Sequence, residues 1–271
     1  MNNVPNLPAD ASPKEDPLRF TFVEMLFALA VSQVAMSAAD LASLPNPIGE
    51  KLPALAHLTL SLLAIAASWV GWRLTKSPGT KHLISSIFEL RFVGLILDVL
   101  LVILYFILVK STDIEQVNGS PRLTAPSAAP EALWISAVFA VYALWDLLSD
   151  VLPADYAPGL TFVRRLWRGL RIAFVSTFSS IACLGLTWLV YRNASNASSG
   201  SRVVALDLAL LAVIFLFRVL KAVEIPLSGW MGVADCDAFS SRPAQRNDRA
   251  IATVWLVVYG ICLFIGAFFQ R

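Results

Sequence analysis

Charged side chains are scarce in this sequence. They make up 15% of its 271 residues, against about 25% in an ordinary soluble domain. With 57% hydrophobic residues and a mean hydropathy of +0.69, the chain falls in the membrane class before any segment is considered. The net charge of +2, with basic residues spread along the chain, excludes a nucleic-acid surface as its main theme. Cysteine is equally sparse: Cys183, Cys236 and Cys262 form no CxxC and no pairing pattern, so neither a disulfide framework nor a zinc site is indicated. Histidine occurs only as His57 and His82, too little material for a His-based metal site or a Ser–His pair.

Several motifs are missing too. There is no HExxH for a zinc protease, no GxGD for an aspartyl intramembrane protease, no GxSxG nucleophile elbow and no Walker A loop. The N-terminal stretch from Met1 to Arg19 lacks a basic region followed by a short apolar core and a cleavage site, so no cleaved signal peptide is expected. No cofactor is called for.

What the chain does have is apolar runs. The most complete is Leu90 to Val109, broken near its middle by one carboxylate, Asp98. About 20 apolar residues at ~1.5 Å rise cross the hydrocarbon core. A charge at mid-depth costs roughly 2.5–3.5 kcal/mol on insertion scales. Repeating this reading along the chain gives seven spans at about 20–41, 52–72, 88–109, 131–152, 169–191, 202–223 and 250–269. They follow a polar, proline-rich tail over 1–19, read as disordered and cytosolic. The fold class is therefore an all-α, polytopic integral membrane bundle, with 20–271 as one transmembrane domain. The connection from Lys110 to Pro130, which holds Gly119 and several prolines, is read as irregular.

Orientation follows from lysine and arginine. The tail and the loops after even-numbered spans carry Lys14, Arg19, Arg73, Lys76, Arg164, Arg165 and Arg168 among others, twelve against six on the opposite side by count along the sequence. This places the N-terminus in the cytosol and the C-terminus outside, in a plasma or inner membrane. Trp69, Trp72, Trp145, Trp167, Trp188 and Tyr191 near span ends fit an interfacial belt.

A period of 72 to 73 residues links the spans. It relates Arg19, Arg91 and Arg164 at the entries of odd spans, and Arg73, Asp146 and Arg218 at the exits of even ones. Pro78, Pro153 and Pro226 recur at nearly the same interval. Three parallel helical hairpins plus one unpaired helix would produce such spacing.

The candidate polar cluster consists of Asp98, Glu24 and Asp146 as acids and Arg73, Arg171 and Arg218 as bases, with Gln33 adding hydrogen-bonding capacity beside Ser37 at i+4. Intramembrane ionisable residues mark ion, proton or solute pathways, or they lock helices together. Arg171 and Arg218 are the expected partners of Asp98, and Gly94 at i−4 is the expected point of close helix approach. Asp207, toward the outer side of its span, is read as a cap or as paired with Arg202 through water. These features indicate a membrane protein that forms or contributes to a small polar pathway for ions, protons or a small solute. The rival is a non-transporting subunit or a bilayer-perturbing scaffold of a larger complex. An enzyme acting on lipid or quinone is the least favoured reading. The partners are the lipid bilayer and either further copies of the chain or a membrane complex, with no nucleic acid.

Overall fold

The computed structural model describes residues 17–74, 90–148, 174–194 and 199–230. Six helices run through them: α1 (Pro17–Ser43), α2 (Ile48–Leu74), α3 (Leu90–Lys110), α4 (Ala129–Asp146), α5 (Phe174–Ala194) and α6 (Gly200–Trp230). Four contain stretches long and apolar enough to cross a membrane: Phe22–Ser43, Ile48–Trp72, Phe92–Lys110 and Gly200–Lys221. A helical membrane bundle is therefore what the chain builds. The seventh span expected at 250–269 and Arg171 lie outside the described residues, as do residues 1–16 of the tail expected over 1–19, whose last residues, from Pro17 on, instead open α1.

Helix α6 is the central element. Its consecutive residues Leu210, Leu211, Ala212, Val213, Ile214 and Phe215 are all buried, so it is covered on every side, as an all-round apolar helix must be. Helices α2, α4 and α5 pack against it, and α1 and α3 extend the bundle. The outer helices turn large apolar groups outward, including Met25, Leu29 and Met36 on α1 and Phe178, Ile181 and Leu189 on α5. In water such a surface would be an association patch. In a bilayer it matches the acyl chains, and helix packing then rests on close contact and interhelical hydrogen bonds.

The link between α3 and α4 is not irregular as the sequence suggests. It contains a two-stranded antiparallel hairpin, β1 (Ile114–Val117) and β2 (Ser120–Leu123). Asn118 and Gly119 form its turn with φ of 54° and 78°, the positive pair that a two-residue hairpin turn demands and that Asn-Gly supplies at least cost. The strands pair Glu115 with Arg122 across the ladder. Gln116 Nε2 donates to Asp40 Oδ2 at 3.1 Å, tying the hairpin to α1. The bundle thus has a hairpin end, where α2, α4 and α6 begin, and an opposite end, where they finish.

Close approach occurs elsewhere than at Gly94, where an added Cβ would meet nothing within 4 Å. The tight points are Gly71, where a Cβ would collide with the Arg218 guanidinium, and Gly200, where it would stand 3.3 Å from Pro53 Cγ.

Candidate functional site

Two buried polar clusters occupy the two ends of the bundle. At the hairpin end, α2 contributes His57, the link after α3 contributes Asp113, the first turn of α4 contributes Glu131, and the start of α6 contributes Asp207. Glu131 follows Pro130 at the helix start, where a carboxylate is favoured by the exposed N–H groups of the first turn. His57 and Glu131 are both 0% exposed. His57 Nδ1 stands 2.5 Å from Glu131 Oε1, and His57 Nε2 stands 2.8 Å from the carbonyl oxygen of Leu108. A carbonyl can only accept, so Nε2 carries a hydrogen and donates it.

Asp113 closes the base of the hairpin. Its carbonyl accepts from Thr124 N–H at 3.1 Å and its Oδ1 accepts from Ser127 N–H at 3.2 Å. Burial, and then the neighbouring Glu131 carboxylate, push its carboxyl up to about 6; the Ser127 N–H and His57 oppose this. Asp207 is 2% exposed, and neither of its side-chain oxygens has a hydrogen-bond partner among the described residues. It is seven residues into α6, beyond capping range, so its reading as an outer cap is corrected; the carboxyls of Glu131 and Asp113 are its charged neighbours.

At the opposite end, Asp146 is 1% exposed. It accepts from Ser180 Oγ at 2.5 Å and pairs with Lys221 Nζ at 2.8 Å, so one carboxylate joins α4, α5 and α6. Lys221 also lies over the Phe217 ring at 5.6 Å. One turn deeper, Tyr142 Oη is 2.5 Å from Ser68 Oγ and 3.5 Å from Tyr105 Oη. Arg218 lies beside these tyrosines and against Gly71.

Between the clusters the bundle is mostly apolar. Ser61 on α2 is buried with no hydrogen-bond partner among the described residues, and Ser136 Oγ lies 3.0 Å from Thr187 Oγ1. A cavity of about 20 Å³, lined by Ala64, Ala67, Ser68, Tyr105, Tyr142 and Arg218 among others, lies beside the tyrosines, its lining starting three residues along α2 from Ser61. That volume suits about one water molecule.

The sequence-derived candidates are thus distributed. Asp146 and Arg218 share the end opposite the hairpin. Asp98 is buried on α3, at 4% exposure, toward that same end. Glu24 and Gln33 are half-buried on α1, and Arg73 lies in the last turns of α2. Arg218 lies beside Tyr105 and Tyr142 and against Gly71, and the other partner expected for Asp98, Arg171, lies outside the described residues. His57, Glu131 and Asp113 did not stand out in the sequence. No family model matches the chain, and neither a curated protein nor a solved structure does. What the fold and the clusters define is a helical membrane protein with titratable groups buried at both ends of its bundle.

Proposed function

We propose that the chain is a seven-span membrane protein that conducts protons along a narrow polar path through its bundle, with its N-terminus cytosolic and its hairpin end outside. The spacing of Arg73, Asp146 and Arg218 supports three parallel helical hairpins followed by one further helix. The single observation that carries the transport reading is the pairing of two titratable clusters across a short apolar gap. His57 and Ser68 are both buried on α2, and at 1.5 Å per residue they are separated by roughly 16 Å along the helix. Ser61, the Ser136–Thr187 pair and the small cavity lie within that interval.

Room for about one water favours a proton over a hydrated ion or a solute, because a proton can pass along hydroxyls and water without the path opening. Asp/Glu/His chains inside membrane bundles are the usual substrate of such relays. The chain is then a conductor and not an enzyme. One observation favours the rival reading of a static scaffold: Asp146 is fully engaged by Ser180 and Lys221, as interhelical glue would be.

Purified protein reconstituted in liposomes loaded with a pH-sensitive dye decides between them. Under an imposed potassium diffusion potential, proton influx should exceed that of empty liposomes and should be lost in Glu131→Gln. Influx equal to that of empty liposomes, from protein shown to be folded, would leave the scaffold reading.

A further inference from the structure

The hairpin-end cluster gathers an imidazole and three carboxyl groups, all buried. His57 Nε2 faces a carbonyl and must carry a hydrogen. His57 Nδ1 stands 2.5 Å from Glu131 Oε1, within ion-pair distance but not aligned as a hydrogen bond, and neither Glu131 oxygen has a donor among the described residues.

Asp207 lacks even an ion-pair partner among the described residues. It is 2% exposed, both its oxygens lack a donor among the described residues, and the charges acting on it are carboxylates. Among the lysines and arginines of this end, Lys110, Arg122, Arg192 and Arg202 are exposed, and Lys51 Nζ donates to the Leu44 carbonyl. From α3 the Leu108 carbonyl reaches the cluster. An ionised Asp207 would be a buried charge without a partner, which proteins avoid by neutralising the group or binding a cation. Among the described residues no three His, Cys, Asp or Glu side chains are placed to hold one metal ion together.

We propose that the hairpin end is a proton-binding site in which Asp207 holds a proton at neutral pH, beside the His57–Glu131 pair, with Asp113 on the adjoining link as the next carboxyl toward the helix ends. Asp113 is itself buried, on the link outside the helices, where burial and the neighbouring Glu131 push its carboxyl up to about 6. The site belongs to the proton-pathway reading given above, but it is measured without flux, so either can fail alone.

The test is infrared spectroscopy of the full-length protein in lipid, in H2O and in D2O. The wild type at neutral pH should show the carbonyl stretch of a protonated, buried carboxylic acid. Asp207→Asn should remove one such component, and Asp98→Asn should leave that component in place. An Asp207→Asn spectrum with every protonated component intact would overturn the proposal. So would a component that appears only after chelation and dialysis of cations, since a bound cation would then be supplying the charge. Asp207→Leu covers the case in which the Asn variant does not fold: a neutral site accepts leucine and retains the fold. Failure of both variants to fold would contradict a neutral group at this position and would equally overturn the assignment. Proton flux without the band would remove this site and keep the pathway; the band without flux would do the reverse.

Discussion

Replacing Asp113 by asparagine should make the protein more stable at neutral pH. The wild-type carboxyl has been moved from 3.8 to about 6 by burial and by Glu131. A carboxyl raised in the folded state contributes stability that is fully present below its unfolded value and is lost as pH rises through the folded one. The loss therefore develops between about pH 4 and pH 6 and is complete above it. The interval between 3.8 and about 6 corresponds to about 3 kcal/mol. Asparagine keeps an oxygen to accept from Ser127 N–H and presents no charge to Glu131, so it removes the penalty without opening the hairpin base. The assay is the apparent Tm in detergent of wild type and Asp113→Asn from pH 4 to 8, taken as a difference so that other carboxylates cancel. The two should coincide near pH 4, and the variant should lead by up to about 3 kcal/mol above pH 6. A difference independent of pH, or a wild type more stable at pH 7, would refute the reasoning about burial and like charge at Asp113.

Three further outcomes are expected. Asp98→Asn preserves shape at a buried position of α3 and should abolish proton flux while expression and detergent stability survive; normal flux with normal stability would remove Asp98 from the path. Asp146→Ala leaves Lys221 without its 2.8 Å partner and Ser180 without its acceptor, and should cost about 3 kcal/mol, measured as a lower Tm in detergent. A topology reporter after Arg271 should read extracytoplasmic and one within 240–247 cytosolic, whereas the same side for both would remove the seventh span.

How much of this was legible in the sequence depends on what each feature needs. The run of α3 and the burial of Asp98 were legible, because uninterrupted hydropathy alone specifies a span. The hairpin was legible in principle: Asn118-Gly119 is a strong turn signal, but the flanking strands are only four residues each and were read as a proline-rich loop. The hairpin-end cluster was not legible. His57 is a single polar residue in an apolar helix, Glu131 reads as an ordinary first-turn acid after Pro130, and Asp113 reads as a loop residue. Their meeting depends on α2, α4 and α6 starting at one end and packing side by side, and no local pattern encodes that. Glycine shows the same limit. Spacing offered Gly94 as the contact point, whereas the residue pressed by a neighbour is Gly71, because Arg218 crosses to α2 there.

The most direct test of the pathway fills its narrowest point. Ala64 is buried on the cavity wall between Ser61 and the Ser68–Tyr142–Tyr105 group. Ala64→Val adds two methyl groups to a space suited to about one water, at an overpacking cost of roughly 1–3 kcal/mol, and replaces no titratable group. Proton flux into dye-loaded liposomes should fall at least about tenfold, the effect of about 1.4 kcal/mol on the barrier, while the variant stays folded. Undiminished flux from a folded Ala64→Val protein would contradict a proton path through the centre of this bundle.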